Sequence, residues 1–174
     1  SISAIIEKIK PFAKDNASIK SFVAGRSFQL NVWRGDWKNC FNEFKELSNA
    51  MQDGMLSESI DVVVSYAKKA GKIDVAEKVL EFVIKSTKNK NNAWKSAARQ
   101  WVELAKEKKS AKDMNARLEE IYRNAGKGDI SYVLYLYMWY SYPIMRDGSK
   151  EDMLQMIRLG EMLEKKVGSA REKS

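Results

Sequence analysis

The chain has 174 residues, 44% of them hydrophobic and 31% charged, which suits one folded domain or a short helical array. Nine Gly and two Pro are too few for a loop-rich β-sandwich. The absence of His beside a single Cys excludes a zinc site of usual composition, a His-activated nucleophile and a disulfide framework. The net charge of +8 is uneven: residues 71–112 carry eleven positive and five negative side chains, whereas 113–174 carry ten of each. A localised positive field attracts phosphates or acidic protein segments, unless the lysines only solvate the surface.

Apolar spacing predicts helices nearly end to end and no alternating strand, so the expected class is all-α. The first helix covers 2–14, with Ser3 as its N-cap and Pro11 kinking it or ending it early. Asn16-Ala17-Ser18, which follows, fits a glycosylation triplet. Helices over 18–33, 37–52, 56–70 and 73–87 come next, separated by Arg34-Gly35-Asp36, Asp53-Gly54 and Gly71-Lys72. The segment 86–92 is the most loop-like. Helices over 92–108, 111–124, 129–145 and 149–167 complete nine, with Gly126-Lys127-Gly128 and Asp147-Gly148-Ser149 between the last three. Pro143 should bend or end helix 129–145 and leave Ile144 and Met145 in the turn.

No apolar run reaches the roughly 20 residues that span a bilayer. The stretch 2–12 is broken by Glu7, Lys8 and Lys10, which a secretory signal would not contain. The chain begins at Ser1 rather than Met, as a processed chain or a piece of a longer protein would. A lone Cys agrees with a reducing cytoplasmic or organellar interior.

Two segments align without gaps at a spacing of 36 residues, Arg34–Leu47 (RGDWKNCFNEFKEL) and Ala70–Val83 (AGKIDVAEKVLEFV). Gly35 matches Gly71, Trp37 matches Ile73, Cys40 matches Ala76, Phe44 matches Leu80 and Leu47 matches Val83. Gly supplies the turn, and the small residue five positions on lets two helices approach closely. A looser copy runs from Asp147 to Gly160. On these residues the chain resembles tetratricopeptide-type repeat proteins, with pentatricopeptide hairpins as a close second. The resemblance implies a right-handed α-solenoid of antiparallel helix hairpins forming a single domain over 1–174. Its parts are an N-terminal helix in 1–16, hairpin units over 17–54, 55–91, 92–126 and 127–168, and a frayed tail in 169–174. It also implies a scaffold that binds proteins or peptides.

In helix 92–108, Trp94, Ala98, Trp101 and Ala105 share an apolar face, and Lys95, Arg99 and Lys106 follow the same spacing on a neighbouring one. By the resemblance that flank looks into a concave groove, as do Lys68 and Lys69 of the preceding unit, making a basic site for carboxylates or phosphates. The carboxylate clamp of chaperone-binding relatives also needs Lys and Asn in the first unit. Gly25 and Gln29 stand there instead, which turns the expectation from a chaperone tail to a general acidic segment. A second reading places RNA phosphates on Lys85, Lys88, Lys90, Lys108, Lys109 and Lys112, although no nucleic-acid motif accompanies them.

Helix 129–145 is apolar on all sides. Tyr132, Tyr135, Trp139 and Tyr142 form one stripe, and Val133, Tyr137, Tyr140 and Ile144 another. Such a helix is either buried centrally or covered by a partner, self-association included, and Tyr135 and Trp139 are the candidate aromatic contacts. Catalysis has little support. Gly126-Lys127-Gly128 lacks the third Gly and the strand of a phosphate loop, adjacent Glu119 and Glu120 diverge on a helix, and Asp147–Asp152 lacks calcium-ligand spacing. Cys40 falls on a packing face as a small core residue. The expectation is a binding module without catalytic residues, metal or cofactor.

Overall fold

The computed structural model describes residues 1–87 and 91–171, the last two by backbone alone. Among the described residues all regular structure is helical, in nine α-helices and two short 3-10 segments. The chain divides into two compact units, 1–97 and 98–174. No helix among the described residues is long and apolar enough to cross a membrane.

The first unit opens with α1 (Ile2–Ile9), whose N-cap is Ser1 rather than Ser3: the Ser1 Oγ accepts from the Ala4 amide at 3.3 Å. Pro11 has no amide hydrogen to continue the ladder, so the chain tightens into a 3-10 segment over Lys10–Lys14. Helix α2 (Ala17–Trp33) begins at Asn16, whose side chain accepts from the Ser18 and Ile19 amides at 3.0 Å each. The glycosylation triplet is thus built into a helix cap.

Helix α3 (Cys40–Ser48) is shorter than the expected 37–52. The Gln52 amide donates to Ser21 Oγ at 2.7 Å, and Gln52 is extended, so residues 49–52 leave the helix to start α4 (Asp53–Ala70). Asp53-Gly54, expected as a turn, opens α4 instead. The Asp53 carboxylate accepts from the Asn92 and Ala93 amides at 3.1 and 2.9 Å, satisfying the first turn of α6 (Asn91–Glu107). Helix α5 (Ile73–Ser86) lies between them in sequence.

In this unit α2 packs on α3, α4 on α5, α2 on α4 and α3 on α5. The 36-residue register has physical content. Gly35 and Gly71 both adopt left-handed backbone, at φ 76 and 67, where a Cβ would be strained. Cys40 with Ala76 and Phe44 with Leu80 are buried. Gly25 and Gln29 are packing residues. A Cβ on Gly25 would collide with the Met55 side chain at Cγ and Sδ, and the fully buried Gln29 donates to Ser59 Oγ at 3.1 Å. Phe28 meets Phe44 edge-on at 5.2 Å, and Phe44 meets Phe82 at 6.1 Å.

The second unit contains the end of α6, then α7 (Ala111–Asn124), a 3-10 turn over Lys127–Asp129, α8 (Ile130–Asp147) and α9 (Lys150–Arg171). Helix α8 packs on both α7 and α9, which also meet each other. Lys109, at φ 54, turns the chain, and Ser110 caps α7 by accepting from the Asp113 amide at 3.2 Å. Leu104, Met114, Leu118, Ile121, Leu136, Ile144 and Leu163 form the core.

Helix α8 corrects the sequence expectation at its end. It runs through Pro143 to Asp147, so Ile144 and Met145 are helical. An interior proline costs about 3 kcal/mol. Here the buried Pro143 and the fully buried Ile144 offset that cost through apolar area removed from water. The turn that follows is tight: a Cβ on Gly148 would collide with the Ile144 carbonyl oxygen and lie 3.1 Å from Ala111 Cβ.

Candidate partner-binding site

Helix α8 owes its inner and outer faces to the two stripes in its sequence. Val133, Leu136, Tyr140, Pro143 and Ile144 are buried. On the other side Tyr135, Met138, Trp139, Tyr142 and Met145 stand exposed, with Trp139 63% and Met138 68% accessible. The helix is therefore not wholly buried within the chain. Tyr132 stacks on Tyr135 at 5.9 Å, and Tyr135 meets Trp139 edge-on at 6.2 Å, so the outer rings form a continuous aromatic ridge.

Beside this ridge runs the last part of α6. Arg99, Glu103 and Lys106 on α6 line a shallow pocket of about 220 Å³ with Tyr135, Leu136, Trp139 and Tyr140 on α8. A second, more open depression of about 580 Å³ adjoins it. Lys106, Tyr135 and Trp139 line that one too, together with Met138, Tyr142, Pro143 and Arg146. Tyr140 ties the two helices together: its hydroxyl donates to Glu103 Oε2 at 2.7 Å and approaches the Arg99 carbonyl oxygen at 3.4 Å. Burial, and then the bond to Glu103, hold the Tyr140 phenol well above its ordinary pKa. Lys106 Nζ lies 3.2 Å from Glu103 Oε1. Arg146 is engaged by Asp147 through two nitrogens at 2.8 and 2.6 Å. Arg99 makes no ion pair among the described residues and is the cation whose guanidinium fork is open to an incoming carboxylate. With Glu103 among them, the pocket is mixed in charge rather than uniformly basic.

Of the expected binding residues, Arg99, Lys106, Tyr135 and Trp139 line this one pocket. Lys68, Lys69 and Lys95 belong to the first unit. Lys68 and Lys69 are exposed near the end of α4, with Lys69 Nζ 5.3 Å from the Tyr66 ring centroid, and Lys95 is half-buried on α6. Among the lysines of the second reading, Lys85 pairs with Glu81 at 2.6 Å within α5. Lys108, Lys109 and Lys112 are exposed around the turn between α6 and α7. Lys88 and Lys90 lie outside the described residues.

Sequence reasoning did not single out Glu103, Met138 or Arg146, and it placed Tyr140 on a stripe of helix 129–145 without giving it a partner. Spacing from Tyr135 would have found Met138 and Arg146 on the outer stripe. The Glu103–Tyr140 bond joins residues 37 positions apart and leaves no local signal. Cys40 is buried as expected, and its thiol is pushed up to about 12, first by burial and then by Glu43 and Asp36, so it stays protonated at neutral pH. Among the described residues no group of three or more His, Cys, Asp or Glu is placed to hold a metal ion. Comparison of the chain with family models, curated proteins and solved structures returned no match.

Proposed function

We propose that this protein is a non-catalytic, tetratricopeptide-like interaction module that binds an acidic, extended segment of a partner protein. One observation carries the reading: Arg99, Lys106, Tyr135 and Trp139 come together around a single pocket on the second unit. Charge and aromatic surface at one place supply both halves of a peptide anchor, a carboxylate fork and a flat apolar wall. The repeat reading rests on pairing within the first unit, where first helices α2 and α4 meet and second helices α3 and α5 meet. It rests also on the shared roles of Gly35 and Gly71.

The alternative assigns the lysines of 85–112 to RNA phosphates. The exposed Lys108, Lys109 and Lys112 at one turn favour it. The two readings differ in salt dependence and in the residues they need. Fluorescence anisotropy with a labelled, unstructured Asp/Glu-rich peptide should show binding that Arg99→Glu with Lys106→Glu weakens by about tenfold or more. Glu at positions 108, 109 and 112 together should change it little. A uridine homopolymer that binds instead, with an affinity falling steeply in salt and abolished by the turn substitutions, would replace the peptide reading with the RNA one.

A further inference from the structure

We infer that the segment held on α8 is a polyproline II stretch, a proline-rich partner segment with acidic flanks. This rests on the acidic-segment reading and narrows it to one backbone conformation. The exposed face of α8 is built from rings that keep a polar edge. The Tyr135 and Tyr142 hydroxyls and the Trp139 indole N–H have no hydrogen-bond partner among the described residues. An amphipathic partner helix satisfies its own backbone carbonyls internally, so only its side chains could accept from these three groups. An extended strand needs a sheet edge, and the described residues form no strand. A polyproline II segment has every carbonyl unsatisfied and presents proline rings to aromatic surfaces, which matches both properties of the ridge.

The spacing agrees as well. Tyr135 and Tyr142 are seven residues apart on the helix, about 10 Å along its axis. One turn of polyproline II advances about 9 Å. A segment running along α8 therefore brings equivalent ring positions onto Tyr135 and Tyr142, with Trp139 standing between. The two depressions, both lined by Tyr135 and Trp139, would seat successive apolar side chains. Charge then fixes the flanks. Arg99, which makes no ion pair among the described residues, lines the smaller depression, Lys106 lines both, and Arg146 lines the larger but is held by Asp147. Glu103 also lines the smaller depression and repels a carboxylate set beside it, so the acidic residues belong outside the stretch that the rings hold, flanking the prolines.

The test uses the full chain and three labelled peptides of about twelve residues: a proline-rich peptide with acidic ends, the same peptide with each proline replaced by alanine, and the proline-rich peptide with its acids replaced by amides. The inference expects the first to bind, the second to bind about tenfold more weakly or worse, and the third to be weakened as well. Trp139→Ala should abolish the preference for proline. Because Trp139 is 63% exposed, this variant should keep the parent's thermal unfolding midpoint, which separates lost binding from lost folding. Equal binding of the proline and alanine peptides would overturn the inference and leave the acidic-segment reading standing. Failure of every acidic peptide would overturn both. A proline preference that survives Trp139→Ala would also overturn it, since the aromatic ridge would then not be the reader.

Discussion

The two units each contain an aromatic cluster, and the clusters differ in whether their rings are buried or meet solvent. In the first unit Phe28, Phe44 and Phe82 meet edge-on, and Phe28 and Phe44 are 0% exposed. In the second, Tyr132, Tyr135 and Trp139 meet at similar distances on the outside of α8, where Tyr135 is 48% exposed. The centroid separations are alike, although Tyr132 stacks on Tyr135 where the phenyl rings meet edge-on; the chemistry of the ring edges is what differs. Phenyl rings carry no polar group, so burying them leaves nothing unsatisfied. Phenol and indole rings keep a donor that must meet water or a partner. The same quadrupole chemistry thus builds a core in one place and a solvent-exposed aromatic ridge in the other.

The largest expected effect follows from that contrast. Phe44→Ala should destabilise the chain by about 3–5 kcal/mol, because it removes a large side chain that has no solvent to replace it. Trp139→Ala should stay within about 0.5 kcal/mol of the parent. Urea unfolding of both variants checks the pair, and comparable losses would show that the α8 ridge is packed rather than open.

Next in size is Gly148→Ala. The added Cβ has to displace the Ile144 carbonyl or move Ala111, and overpacking against backbone costs about 1–3 kcal/mol. The loss should appear in the unfolding midpoint while Gly54→Ala, whose Cβ meets nothing within 4 Å, leaves that midpoint close to the parent's or slightly higher.

Smaller effects concern the two groups whose titration the fold has moved. The Cys40 thiol rises from 9.0 to about 12. Its protonated form is favoured in the folded chain, so its contribution to stability is whole below pH 9 and is withdrawn as pH rises towards 12. A thiol reagent at pH 8 should therefore leave native protein unmodified and label it once unfolded, and rapid native labelling would contradict the burial. Tyr140 behaves with the same sign. Its phenol is held above the ordinary 10.0, so its contribution begins to fall above pH 10. Tyr140→Phe should lower stability by about 1 kcal/mol at pH 7, through the bond lost at Glu103, and flatten the alkaline limb of the stability profile.

Much of this arrangement can be read locally and some of it cannot. The apolar period locates the helices and separates the inner stripe of α8 from its outer one, because a 3.6-residue repeat is a local property. Pro143 misleads, since a local rule about backbone hydrogen bonds gives way to the burial of Pro143 and Ile144, which depends on α8's neighbours. Asp53 looks like a turn residue because its partners, the amides of Asn92 and Ala93, are about 40 positions away. The pocket divides in the same manner. Arg99 with Lys106, and Tyr135 with Trp139, are each visible on one helix. Their meeting depends on Tyr140 reaching Glu103 across two helices.

The most direct measurement is an assigned amide and indole NMR spectrum of the full chain, recorded as an acidic proline-rich peptide is added. The account predicts shifts confined to Arg99, Lys106, the outer residues of α8 and the Trp139 indole N–H, with Lys108, Lys109 and Lys112 unmoved. Shifts centred on that lysine turn, or none at all on α8, would contradict it.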